Sequence, residues 1–326
     1  MIDQETSISS RLYKDYYLTD KTPGQLVSSH WKAIHERSEV DVSPQGIEKF
    51  KFELGDYGYS KPHHKFLNWA TIVLYLFRLE NKNDIVWVLR KAIPLARRMK
   101  FPFTYDCFRQ VCTAALLSRY IIASDRKFKV INIGDGYGFL SALIKELFPN
   151  AQLYLVDLGK TLLFQSYYCA KGFSDKDHYL VSRESTRMGI DTAADFVYCS
   201  TEDLALLDDV SFDAAINVAS MQEMNTETIR YYFQFLRGHM VPNNLFYCCN
   251  RLEKYLAGGE VTRFLSYPWD ERDRVLIDEP CPWQRFYLSF HRTERGPKFF
   301  NWRVPLVAYY DGDMHHRLST LHVLKG

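Results

Sequence analysis

The spacing of apolar residues changes near residue 125. Before it, apolar positions recur every three to four residues over His64–Glu80, Asp84–Lys100 and Tyr105–Ala123, the stripe of a helix that packs along one face. Earlier in the chain, Pro23-Gly24 opens a helix running towards His35, and Ser43-Pro44 starts another that ends near Gly55. Pro94 falls inside the Asp84–Lys100 pattern, and its missing N–H predicts a kink or a split there. Gly55-Asp56-Tyr57-Gly58-Tyr59-Ser60-Lys61-Pro62 reads as a turn-rich loop. After residue 125, short apolar runs take over: Lys129–Ile133, Gln152–Asp157, Phe196–Cys199, Phe212–Val218 and Leu245–Cys249. Helical stretches Phe139–Phe148, Thr161–Gly172 and Glu227–Met240 alternate with them.

Strands apolar on both faces and separated by helices imply a parallel sheet covered on both sides. The expected class is therefore α/β: a doubly wound, mostly parallel Rossmann-like sheet in residues 125–326, behind a helical N-terminal region in residues 1–124. Two connections, Phe173–Ala193 and Arg251–Pro282, exceed the usual length, and long connections in compact domains cover or form sites.

Composition narrows the function. Hydrophobic residues make up 47% and charged residues 25%, which suits a globular chain with a sizeable core. A net charge of +2 is too balanced for a protein whose main partner is nucleic acid. The basic stretch Arg90, Lys91, Arg97, Arg98 and Lys100 reads as a solvated helix face, with a seat for an anionic substrate as the sharper alternative. Seven cysteines, an odd number without a Cys-x-x-Cys pair, read as buried thiols in a reducing compartment. No basic-then-apolar leader opens the chain, and the apolar stretch Phe66–Leu79 is too short to span a bilayer. A cytoplasmic protein that engages neither membrane nor nucleic acid is expected.

The chemistry concentrates after the first strand. Val130-Ile131-Asn132-Ile133 runs straight into Gly134-Asp135-Gly136-Tyr137-Gly138 and then a helix. Glycines there let the chain turn sharply and bring backbone N–H groups against a ligand at the strand's carboxyl end. The next strand, Leu153-Tyr154-Leu155-Val156, ends in Asp157, whose carboxylate can accept both hydrogen bonds of a ribose diol. A dinucleotide fingerprint needs its third glycine three positions after the second. Position 139 is Phe instead, and the third glycine, Gly138, follows Gly136 by two.

That spacing resembles the class I S-adenosylmethionine-dependent methyltransferases, and the likeness extends over roughly Lys129 to Arg251. Val130–Gly138 looks like the family's first motif, Tyr154–Leu158 its second, and Phe212–Met224 its fourth strand and following loop. The ending Asn217…Ser220…Gln222-Glu223-Met224, with Phe246-Tyr247-Cys248-Cys249-Asn250 after it, resembles the sugar O-methyltransferases. The resemblance implies S-adenosylmethionine as cofactor. It sets Gly134, Gly136 and Gly138 against that cofactor, Asp157 on the ribose with Leu158 beside it, and Thr201 or Glu202 near the adenine. It also places Asn217 at the amino-acid end. Asn132 stands where the family carries an acid, keeping an acceptor but losing the charge, and Asp135 is the candidate to compensate. Two local readings compete: Asp157 as a helix N-cap, and Ser200-Thr201-Glu202-Asp203 as a capping sequence.

Methyl transfer requires an acceptor oxygen aligned with the methyl group and a base for its proton. Glu223 after the fourth strand and His291 at the end of Arg285–His291 are the candidates. The Asp/Asn-Pro-Pro-Tyr/Phe motif that holds planar amines is absent, and Asn217-Val218-Ala219-Ser220 occupies its place, which argues for oxygen. No ligand set for a metal stands out. The expected acceptor is a small molecule, a sugar or glycosylated intermediate, for which Tyr267-Pro268-Trp269-Asp270 offers a stacking platform. The helical region is expected to cover the acceptor and is a candidate contact between copies. Two other readings stay open: a nicotinamide-dependent (NAD or NADP) oxidoreductase, and a protein that binds S-adenosylmethionine without turnover, which Asn132 favours.

Overall fold

The five apolar runs after residue 127 join three further strands, two of them inside the long connections, in one eight-stranded sheet in the computed structural model of the chain. It describes residues 4–18, 28–35, 39–43, 46–51, 62–121, 127–182, 193–290, 296–300, 302–310 and 312–324. The strands are β1 Phe128–Ile133, β2 Ala151–Asp157, β3 His178–Leu180, β4 Phe196–Ser200, β5 Phe212–Val218, β6 Met240–Arg251, β7 Arg274–Pro280 and β8 Met314–Thr320. Their order across the sheet is β7-β8-β6-β5-β1-β2-β4-β3. β1 runs parallel to both β2 and β5, and β4 and β6 continue the parallel set outwards. Only β8 reverses, pairing antiparallel with β6 and β7. The chain thus starts at the centre, winds out to one edge, and returns to β5 on the other side of β1. At that reversal the connections leaving β1 and β5 diverge and leave a crevice at the strands' carboxyl ends.

Helices cover both faces. They are α1 Gln4–Tyr13, α2 Ser29–His35, α3 Pro62–Arg78, α4 Lys82–Arg98, α5 Tyr105–Leu117, α6 Phe139–Leu147, α7 Gly159–Gly172 and α8 Thr226–His239. Successive strand residues point to opposite faces. Val130, Leu153, Leu155, Tyr198 and Ile216 therefore join one core with α4, α5, α6 and α7, while Ile131, Ile133, Tyr154, Val156 and Val197 pack with Ile229, Tyr232, Phe233 and Leu236 of α8. The N-terminal helices share the first of these cores. Phe101, after α4, packs its ring against Tyr137, Phe139 and Tyr168, and α1 lies along α7 with Ser9 Oγ 3.1 Å from Ser166 Oγ.

Three local expectations change. The stretch from Ser43-Pro44 towards Gly55 is no helix over 46–51: Glu39–Ser43 and Gly46–Lys51 pair as an antiparallel hairpin. The alternation Val40-Asp41-Val42 carries the strand period, and β-branched residues favour the pleat. α4 runs through Pro94 without splitting, held by buried Val88, Ala92, Leu95 and Ala96 on its inner face. α5 ends at Leu117, short of Ala123. The turn-rich loop from Gly55 lies outside the described residues but for its last residue, Pro62, which opens α3. All seven cysteines are buried and free. Among the described residues, no helix is long and apolar enough to cross a membrane.

Candidate functional site

Gly134 and Gly136 of the glycine loop line the floor of the crevice, while Gly138 lies outside its lining, against Cys169 and Gln165 of α7. Gly134 adopts φ +75°, Gly136 +58° and Gly138 +81°, all in the left-handed region where a side chain is strained. The Gly134 N–H donates to the Val156 carbonyl at the end of β2 (2.9 Å). A Cβ on Gly134 would lie 1.8 Å from Ser220 Oγ, so only a bare backbone fits against the loop leaving β5. At Gly138 the obstruction is Cys169 Sγ of α7, 2.8 Å from such a Cβ.

The Asp135 side chain folds back onto α6, its carboxylate accepting from the N–H groups of Ser141 (2.8 Å) and Leu140 (3.3 Å). It thereby satisfies orphan donors of the helix's first turn. Burial nonetheless raises the pKa of this carboxyl group to about 6. Asn132 Nδ2 donates to Ser141 Oγ at 3.0 Å. Both residues line the crevice while bracing the start of α6.

At the tip of β2, Asp157 is 7% exposed. One carboxylate oxygen accepts from the Leu158 N–H (2.8 Å) and the other from Gln165 Nε2 (2.7 Å). An ionised carboxylate has about four acceptor directions, so two are left over. Desolvation, with smaller contributions from Asp135 and Glu223, raises its pKa to about 7. Beyond Asp157 the crevice continues as a narrower lobe lined by Leu158, Thr201, Met224 and Tyr232, with Trp31 of α2 bordering both parts. Thr201 Oγ1 and the Tyr232 hydroxyl are 2.8 Å apart at its end.

Ala219, at φ +58° without being glycine, turns the chain out of β5 and brings Ser220, Gln222 and Glu223 to the rim. Such strained backbone concentrates at binding and catalytic sites. Gln222 Oε1 accepts from the Arg251 N–H at 2.8 Å, tying this loop to the end of β6. Opposite stands α5 with Asp106, Arg109 and Gln110. The Arg109 guanidinium meets Asp106, the Tyr310 hydroxyl and, at 3.1 Å, Gln284 Oε1. Glu223 faces the helical region: its Oε2 is 3.5 Å from His30 Nε2, and its carbonyl accepts from the Ser28 hydroxyl.

The structure thus brings Asn132, Gly134, Asp135, Gly136, Asp157 and Glu223 to one crevice, with Leu158 and Thr201 in its side lobe. Asn217 stands apart from both linings. Fully buried, its amide donates to the Ile133 carbonyl (2.8 Å) and accepts from Asn250 Nδ2 (2.8 Å) and the Met221 N–H, so it clamps β5 to β1 and β6 from behind the wall. Glu202 turns towards Tyr16 of the N-terminal segment instead of the lobe, and burial raises its pKa. His291 lies outside the described residues. No group of three or more His, Cys, Asp or Glu able to hold a metal occurs among the described residues. Pattern reading missed His30, Trp31 and Arg109, because nothing in their local sequence marks a crevice built by residues far along the chain.

No family model matches the chain, and no curated protein matches it. Solved structures do. TehB from Haemophilus influenzae is 10% identical over 64% of this chain and 62% of its own, with a TM-score of 0.39. A TehB-like SAM-dependent methyltransferase from Corynebacterium glutamicum is 13% identical over 64% and 86%, at 0.35. Coclaurine N-methyltransferase, bound to N-methylheliamine and SAH, is 12% identical over 53% and 50%, at 0.34. The chain spans about half the length of this last protein and about three-fifths of the H. influenzae one.

Proposed function

We propose that this protein is an S-adenosylmethionine-dependent methyltransferase whose acceptor is a hydroxyl of a small molecule, a sugar or sugar-containing intermediate. One observation carries the choice of cofactor. The N-terminus of α6, where a dinucleotide's pyrophosphate would rest on backbone N–H groups, is already capped by the Asp135 carboxylate. A phosphate there would face a carboxylate; a nucleoside without phosphates would not. Gly134 and Gly136 line the crevice beside Asp157, which retains acceptor directions for a ribose diol. The reversed strand β8, between β6 and β7, departs from the all-parallel dinucleotide sheet.

The bound cofactor supplies a methyl group on a positively charged sulfur. The remaining tasks fall to this chain's own residues. Gly134 and Gly136 carry the cofactor's central part, Asp157 holds its ribose, and the lobe formed by Leu158, Thr201, Met224 and Tyr232, about 20 Å³ as it stands, widens to take the flat base. Trp31 excludes water from above. Glu223, on the rim between the glycine floor and α5, receives the acceptor's proton. The hydroxyl acceptor rests on the sequence resemblance and on the absence of the amine-holding motif. The helical region, through α2 and α5, walls the acceptor side.

Calorimetric titration tests the cofactor. S-adenosylhomocysteine should bind with a micromolar dissociation constant, and NAD and NADP should not bind. Asp157→Ala should weaken S-adenosylhomocysteine by about tenfold to a hundredfold, the loss of about 1.5–3 kcal/mol of hydrogen bonding to a charged group. Preferential binding of a nicotinamide cofactor would overturn the assignment.

A further inference from the structure

We infer that His30 completes the proton path, taking from Glu223 the proton that leaves the acceptor hydroxyl and passing it to solvent. The inference rests on the methyltransferase reading above and assigns to that site a residue from the helical region.

A lone carboxylate at the rim has a weakness as a base. The proton it takes must move on before the next turnover, and a second acceptor beside it carries that proton away. His30 is placed for this. Its Nε2 lies 3.5 Å from Glu223 Oε2, and its side chain is 27% exposed against 18% for Glu223, so the pair leads from crevice to water. The placement is braced on both sides. Ser28 donates to the Glu223 carbonyl, while Ser29 Oγ accepts from the Gly258 N–H (2.8 Å) and donates to Glu260 Oε2 (3.1 Å). Ser28 and Ser29, the two residues before it, therefore hold the imidazole over the loop that carries Glu223. Trp31, next in the chain, stands edge-on to the His30 ring at 6.0 Å and borders the crevice.

The step balances as follows. The acceptor oxygen forms its bond to the methyl carbon as its O–H proton passes to Glu223, and the electron pair of the breaking carbon–sulfur bond returns to sulfur. Glu223 then donates that proton to His30 Nε2, which requires the tautomer with its proton on Nδ1. Water removes it from the exposed ring, and both groups return to their starting state. Asp106, Arg109, Asp135, Asp157 and Arg251 are the other charged groups lining the crevice.

Chemical rescue tests the path. Release of S-adenosylhomocysteine is measured with methyl glucoside, methyl galactoside, methyl rhamnoside and a simple phenol as acceptor probes. His30→Ala should lower kcat by about tenfold to a hundredfold, leave KM for the cofactor within about twofold, and regain most of the loss on adding free imidazole. His30→Gln, which fills the space without a titrating nitrogen, should be as slow and should not respond to imidazole. Unchanged S-adenosylhomocysteine affinity in both variants separates a lost proton path from a disturbed α2. Full activity in His30→Ala, or a loss that imidazole does not repair, overturns the relay alone. No turnover by the wild-type protein with any probe overturns the hydroxyl-acceptor reading on which the relay rests.

Discussion

At the scale of the residue, the crevice depends on positions where one atom more or one charge less decides the outcome. Gly134 is the sharpest: an added methyl group meets both a left-handed backbone and Ser220 Oγ. Gly134→Ala should cost about 1–3 kcal/mol of stability by the strain alone. Because the loop must shift, S-adenosylhomocysteine affinity should drop at least about tenfold, which denaturation and calorimetry read separately. Asp157 is a carboxyl group buried at the tip of β2. Its pKa rises from 3.8 to about 7 in the folded protein, so the folded state holds a proton that the unfolded chain has released between those values. The stabilising contribution of the neutral acid is full below pH 4 and is lost as pH rises through 7. Asp157→Asn cannot ionise, so its stability relative to the wild type should improve by about 2 kcal/mol between pH 5 and pH 7.5 in urea titrations. A constant difference would show that the carboxyl is not buried as described.

Elements matter next, because each functional residue is aimed by the end of a strand or the start of a helix. α6 begins at the glycine loop, and its first N–H groups are satisfied by Asp135. Removing that cap in Asp135→Ala should cost about 1 kcal/mol. It should also open the helix terminus to anions, so that phosphate or NAD now raises the melting temperature where it leaves the wild type unchanged. That gain would not occur if Asp135 served only the cofactor. The run of β1 into three glycines and the acid closing β2 were readable in the sequence, since strand period and glycine punctuation are local properties. Asn217 was placed at the ligand by its strand-end position, but strand ends do not reveal which way a side chain points. Its amide turns inward to join β1, β5 and β6. The hairpin's second strand, Gly46–Lys51, reads as helix in the sequence because a Ser-Pro start signal outweighs a short alternation that only pairing makes stable.

The molecule as a whole folds around two cores on the faces of one sheet, and the N-terminal helices belong to the first. Phe101 joins that helical layer to Tyr137 in the glycine loop and to Tyr168 of α7. Phe101→Ala should cost about 3–5 kcal/mol, and unfolding followed by fluorescence and by far-ultraviolet dichroism should stay coincident. Two separated transitions would mean that the helical layer folds independently of the sheet.

The sequence by itself determined the alternation of β1, β2, β4, β5 and β6 with the helices between them, the sharp turn after β1 and the acid at the tip of β2, because backbone preferences and apolar periodicity act over a few neighbouring residues. Tertiary structure alone decided what surrounds them. It set His30 beside Glu223, turned Asp135 onto α6 and closed the crevice with Trp31. Ser28 and the carbonyl of Glu223 meet across 195 positions of chain. Contacts of that range are selected by the packing of whole layers, which no local pattern encodes.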